Sequence, residues 1–324
     1  RDPIDIDRGE TKADRTSTTN SSTGVSNQRS FAKRHQCFVG PHGTLGSTWN
    51  NTISTMNKIV CIDHLVTGDS FVLEPHNHYD ILQTTPQPKQ IEKYYDHPNY
   101  ISHRTQGTSI FFAVYSRFRQ WNHNYKIKII NKHSQTKGKL LDFGAGTGSF
   151  VEFANTKGWQ SEGYEPNTKA HGYKAKYQST WTSPKSYHVI TAWHVVEHLP
   201  DPRAFFEQAL KSLADNGKLF VALPNYKSWD ANKYGSMWAA YDVPRHLWHF
   251  SPKGFISMAK DYGFETEKTY PLRLDAYYVS LLSEQNRQSK FPWLKAFRSG
   301  WRSNHAAKQS KNYSSLIYVL QKRK

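Results

Sequence analysis

Leu140-Leu141-Asp142-Phe143-Gly144-Ala145-Gly146-Thr147-Gly148-Ser149-Phe150 is the stretch on which the fold turns. KLLDF, ending at Phe143, reads as a buried strand. Glycines then recur at every second position, and SFVEFANTK reads as a helix stopped by Gly158. Glycine is needed where the backbone must bend sharply and let a ligand lie against it with no Cβ in the way. Outward from this turn the pattern repeats. SEGYE is a second strand ending in Glu165, 21 positions after Gly144, and HVITAWHV is a strand with little polar alternation. Asp201-Pro202 caps a helix running to about Ala214, and LFVAL is another buried strand. Ser251-Pro252 caps a helix to Asp261, FETEKTY follows as a strand, and SSLIYVLQ closes the chain. Such alternation predicts an α/β fold: a Rossmann-like, mostly parallel seven-stranded sheet with helices on both faces.

The rest of the chain divides by composition. Residues 1–55, rich in Ser, Thr, Asn and Gly, lack apolar periodicity and are expected to form a disordered tail. Residues 56–108 hold strand-like runs, IVCIDHLV and SFVLE, and are expected to form a small β-rich lead-in. A docking helix is expected within 109–136. Its apolar face carries Phe111, Tyr115, Phe118, Tyr125 and Ile129, and its other face Arg117, Arg119, Lys126 and Lys128. Residues 137–324 form the main domain, and DAYYVSLLSE with FPWLKAFRSGW, within 275–310, is expected to lay helices over the site.

Composition narrows the function. The 324 residues carry 43 Lys and Arg against 26 Asp and Glu, a net charge of +17. That balance draws nucleic acid, anionic lipid or acidic substrates. The cations are scattered rather than blocked, however, so a basic surface is favoured over a nucleic-acid partner. The 10 Trp, 19 Tyr and 17 Phe suffice for a core. No run approaches the ~20 apolar residues of a membrane span, and RDPIDIDRGETKADR has no apolar stretch of a secretory signal. Two cysteines, Cys37 and Cys61, make no disulfide scaffold, so a cytoplasmic location is expected.

A turn of this kind, followed by a helix, a strand and a terminal acid, suits a nucleotide-type ligand, with Glu165 able to accept both hydroxyls of a ribose. A dinucleotide fingerprint would want glycine where Ser149 stands. G-x-G-x-G instead resembles motif I of the class I S-adenosylmethionine-dependent methyltransferases. YHVITAWHVVEHLPDP is similar to the fourth-strand motif of that family, close to the form in O-methyltransferases of the ubiquinone-biosynthesis type. NGKLFVALPNY resembles its fifth strand, and WAAYDVPRHLWHFSP a segment of bacterial methyltransferases associated with cell-surface or sugar metabolism. The resemblance spans roughly residues 90–324. One departure is that QSTWTSPKS, 178–186, lacks a clear third strand and its acid, leaving Trp181 as a stacking face for adenine.

The resemblance implies S-adenosyl-L-methionine as cofactor. Gly144, Ala145 and Gly146 would line its methionine moiety, with Gly148 completing the turn. Asp142 would orient a cationic group, Glu165 hold the ribose, and Trp193 and His194 lie near the sulfonium. It also implies methyl transfer to a small-molecule acceptor, on oxygen of a sugar- or lipid-linked intermediate. A hydroxyl acceptor must lose a proton, which suits histidine near neutral pH; the candidates are His194, His246 and His249. Trp238, Tyr241, Arg245 and Trp248 are the candidate acceptor-binding residues, with a core role and a structural ion pair as the plainer alternatives. A nucleic-acid methyltransferase, a dehydrogenase and an inactive binding module on the same fold remain as rival readings. Metal is not expected: His194-Val195-Val196-Glu197-His198 fits an H-x-x-E-H pattern with no third ligand evident, and Cys61, His64, His76 and His78 match no standard zinc ribbon.

Overall fold

The computed structural model describes residues 58–95, 110–167, 175–178, 180–181 and 184–323, with side chains in the first helix described from residue 117 onward. The expected tail and Cys37 lie outside the described residues, as do the side chains of Phe111 and Tyr115. Three strands come first: β1 (Ile59–Ile62), β2 (Ser70–Pro75) and β3 (Ile81–Thr85). Helix α1 (Ile110–His133) follows. The main sheet is then built by β4 (Lys139–Phe143), α2 (Ser149–Thr156), β5 (Gln160–Tyr164), β6 (Tyr177–Gln178), β7 (Tyr187–Trp193), α3 (Pro202–Ser212) and β8 (Leu213–Pro224). The remaining elements are α4 (Trp229–Tyr234), β9 (Trp248–Phe250), α5 (Pro252–Asp261), β10 (Phe264–Pro271), α6 (Asp275–Asn286), α7 (Pro292–Ser310) and β11 (Ser315–Lys322).

Seven strands pair in the order β10-β11-β8-β7-β4-β5-β6. From β8 to β6 all neighbours are parallel, whereas β11 lies antiparallel between β8 and β10. The chain leaves β4 toward β5 and β6 on one side and returns to β7 on the other. The reversal opens a crevice at the C-terminal ends of β4 and β7, where such sheets take their ligands. Successive side chains feed opposite faces. Leu141, Ile190, Leu219 and Val221 pack with Phe205, Phe206, Phe255 and Met258 of α3 and α5. Leu140, Val189, Phe220, Ile317 and Val319 pack with Ile127, Ile129 and Ile130 of α1 and with Phe150 and Ala154 of α2. Being covered on both sides, the central strands read as near-continuous apolar runs.

Three differences from the sequence expectations have local causes. First, a third strand exists: Gly163 and Tyr164 of β5 pair with the two residues of β6. At two residues it is too short to leave a periodic signal. Second, the β-rich lead-in does not end within 56–108. Its sheet runs β1-β2-β3-β9, and Ile81 to Gln83 pair with Trp248 to Phe250 from the far side of the chain. Third, the buried stripe of α1 includes Lys126, 8% exposed, while Phe118 is 53% exposed. Both lie on the reverse of the faces expected from the spacing. Among the described residues no helix is long and apolar enough to cross a membrane.

Candidate active site

The glycine turn sits at the crevice. The backbone N–H groups of Gly144 and Ala145 both donate to the Tyr164 carbonyl, at 2.8 and 3.1 Å, and the Gly148 N–H donates to Ala145 at 2.8 Å. Gly144 has φ of +73°, and a Cβ there would meet Val195 Cγ2 at 2.5 Å, so packing alone demands glycine. Gly146 differs. Its φ is +51°, yet a Cβ would meet no atom within 4 Å, so this glycine faces open space. Glu165 closes the turn from beside β5: Oε2 accepts from the Gly146 N–H and Oε1 from the Asn167 N–H, both at 3.0 Å. Tyr177 of β6 donates its hydroxyl to the Gly146 carbonyl at 3.0 Å, which ties the short third strand to the same loop. Room against the backbone at Gly146, bordered by a carboxylate, fits an adenosyl ligand.

Under the turn lies a buried acid. Asp142 accepts from the Thr191 hydroxyl at 2.6 Å. Burial pushes its carboxyl well above the usual range, while the Thr191 hydrogen bond and the Lys126 charge oppose that rise. Lys126 reaches this region from α1, its Nζ 4.4 Å from the Trp193 ring centroid. Burial lowers its ammonium, and Asp142 and Asp275 partly offset that. Lys126, expected on the face opposite the apolar stripe, stands one residue from Tyr125 and so borders that stripe.

His194 follows the end of β7 with φ of +57°. Its Nε2 lies 3.1 Å from Asp275 Oδ2 and its Nδ1 3.3 Å from Glu197 Oε1, with the side chain 34% exposed. Burial disfavours the charged ring, but hydrogen bonds and charge from Asp275 and Glu197 win and raise its pKa to about 9. A ring protonated at neutral pH does not take a proton there, which corrects the expectation of a ready base. Asp275, which opens α6, was not singled out from the sequence. It lies in the segment expected to cover the site, but nothing in its local pattern links it to His194.

His246 and His249 sit deeper. His249 Nε2 lies 2.9 Å from the Thr84 hydroxyl, and burial holds this ring neutral. His246 Nδ1 donates to the Ala240 carbonyl at 2.9 Å. His198 Nδ1 lies 3.0 Å from the Arg245 carbonyl, and its ring sits edge-on to His246 with centroids 4.5 Å apart. Glu197 and His198 instead cluster with His246, their ligating atoms all within 4.8 Å of one another, and His194, the first residue of the H-x-x-E-H pattern, is not part of that group. The His194 ring faces the buried Glu197 carboxylate at 3.3 Å, yet neither Glu197 oxygen accepts a well-aligned hydrogen bond within the described structure.

The expected acceptor residues divide. Trp238, Trp248, His246 and His249 line a small cavity with Pro224 and Tyr226. Trp238 is 2% exposed and donates its indole N–H to Asp230 at 2.8 Å. Tyr241 stands edge-on to it in the core between the lead-in sheet and α4. Trp248 donates to the Leu199 carbonyl at 2.8 Å. Arg245 is 1% exposed, and its guanidinium is consumed by Asp63 at 3.0 Å, Asp242 at 2.6 Å and the Tyr94 carbonyl at 3.2 Å. It is a structural ion pair, not an anchor for an acidic acceptor. Trp181 packs its ring on Phe143 and Phe205, at 4.7 and 5.7 Å between centroids, so its faces serve the core rather than adenine.

Parts of this chain are similar to known proteins. Residues 115–269 match the model of a family described as a methyltransferase domain. A ubiquinone biosynthesis O-methyltransferase from Idiomarina loihiensis is 28% identical over 109 residues, a match covering 28% of this chain and 45% of that protein. The chain therefore spans about half the length of the curated relative it matches. Among solved structures, an S-adenosylmethionine-dependent methyltransferase from Archaeoglobus fulgidus is similar with a TM-score of 0.44 and 17% identity, over 66% of this chain and all of that one. Phosphoethanolamine N-methyltransferase 2 from Haemonchus contortus is similar with a TM-score of 0.41 and 17% identity, over 62% of this chain and 53% of that one. The family match falls on the strands and turn that build the crevice, so residues 115–269 are similar to a methyltransferase domain.

Proposed function

We propose that the protein transfers a methyl group from S-adenosyl-L-methionine to oxygen of a small sugar- or lipid-linked acceptor. The observation that carries this reading is the open face at Gly146 beside the Glu165 carboxylate. Gly144, Ala145 and Gly146 would line the methionine moiety, Gly148 would set the turn, and Glu165 would hold the ribose hydroxyls. The bound cofactor supplies an electrophilic methyl on a cationic sulfur. Asp142, with Lys126 against it, sets the charge beneath the turn, and Trp193 walls the crevice.

The chain's own work is alignment and exclusion of water, which lower the barrier without covalent help. His194 turns both its ring N–H groups toward Asp275 and Glu197, so at neutral pH it is a fixed positive charge beside the crevice and has no N–H left for the acceptor oxygen. It serves as proton acceptor only above about 9. A hydroxyl acceptor should therefore give a rate that climbs toward alkaline pH, whereas a carboxylate acceptor, already ionised, should not. The EHLPDP segment and the partial relative favour an oxygen acceptor; both leave its carbon skeleton open.

Calorimetric titration with S-adenosylmethionine tests the site directly. Wild type should bind, Gly146→Val should lose binding by filling the open face, and Glu165→Gln should weaken it about tenfold. Equal affinities in all three would place the ligand elsewhere.

A further inference from the structure

We infer that helix α7 is a docking face for an anionic lipid bilayer. Its inward side is made of small residues: Ala296, Ser299, Gly300, Ser303 and Ala307 are all buried. Gly300 lets α6 come close, since a Cβ there would lie 2.6 Å from the Tyr277 ring. The outward side is unlike that of an ordinary surface helix. Trp293, Leu294, Phe297 and Trp301 are 60%, 72%, 65% and 54% exposed, and Phe291, just ahead of the helix, is 69% exposed. At about 100° per residue the four helical positions share one arc of roughly 100°.

Charge identifies the occupant. Lys295, Arg298 and Arg302 follow next around the helix, all exposed. Between Arg287 and Lys311 there are seven Lys and Arg and not one Asp or Glu. A protein partner's apolar patch would need no such one-sided collar. An anionic surface does: the cations meet headgroups while Trp, Leu and Phe sink to the acyl boundary, the pattern of a helix lying in the interface plane. Exposed apolar clusters on this scale mark interaction surfaces. The same cap carries Asp275, 3.1 Å from His194, so docking would present the crevice mouth to the membrane. The inference stands whether or not the acceptor is a lipid.

Flotation of the full chain tests it, using vesicles of phosphatidylcholine alone and of phosphatidylcholine mixed with phosphatidylglycerol. Wild type should float with the mixed vesicles only, and the bound fraction should fall as salt rises. Leu294→Ser combined with Phe297→Ser should weaken flotation at least tenfold, as should Arg298→Gln combined with Arg302→Gln. S-adenosylmethionine titration should stay at wild-type values for both variants, because neither pair touches the crevice, and melting should fall by no more than the loss of the Phe297–Tyr277 ring contact accounts for. Wild type remaining in solution, or variants floating like wild type, would overturn the inference. So would scattering that shows a dimer dissociated by the serine variant with no vesicle binding, since the face would then join two copies of the chain.

Discussion

Replacing Asp275 by Asn isolates the claim that His194 is charged at neutral pH. Its pKa rises from 6.5 to about 9 because two carboxylates face its two ring nitrogens. Each pKa unit corresponds to about 1.4 kcal/mol between the protonation states. The side chain is 34% exposed, so solvent screening brings the net stabilisation to about 1–2 kcal/mol. The folded chain holds this proton more tightly than the unfolded chain. The stabilisation is therefore complete below about 6.5 and fades as pH rises through about 9. Asp275→Asn removes one carboxylate of the two. It should lower the His194 pKa by roughly one unit and cost about 1 kcal/mol at pH 6. Histidine ring resonances followed by NMR against pH, with His194→Gln to assign the signal, read the pKa, and urea unfolding at pH 6 and 9.5 reads the stability. A wild-type His194 titrating below 7, or unchanged in Asp275→Asn, would refute the imidazolium.

Other outcomes follow from the same contacts. Arg245→Met leaves Asp63 and Asp242 facing each other without their cation and should cost about 3–5 kcal/mol in chemical unfolding, while S-adenosylmethionine affinity per folded molecule stays unchanged. Thr191→Val removes the hydroxyl donated to buried Asp142 and should cost about 1–3 kcal/mol by the same measurement, with the loss growing as Asp142 ionises above neutral pH. Gly146→Ala should bind the cofactor more weakly while lowering stability by only about 1–2 kcal/mol, the cost of a side chain in the left-handed region, as seen by calorimetry beside thermal melting. Labelled methyl transfer measured from pH 6 to 10 separates the acceptor classes, since only a hydroxyl acceptor should show the alkaline rise.

The sequence by itself determined the sheet and the turn. KLLDF, HVITAWHV and SSLIYVLQ are apolar on both faces because both faces are covered, and that property is local enough to read along the chain. Gly146 and Glu165 were legible for a similar reason: a tight turn and a strand-end acid are fixed by a short span of backbone. What the tertiary structure decided concerns partners far apart in the chain. Lys126 reaches the Trp193 ring from α1, Asp275 reaches His194 across 81 positions of sequence, and His246 completes a cluster with Glu197 and His198. Arg245 looked available until Asp63, 182 positions away, was seen to hold it. Charge and hydrogen-bond state depend on which groups meet in three dimensions, and periodicity carries no record of those meetings.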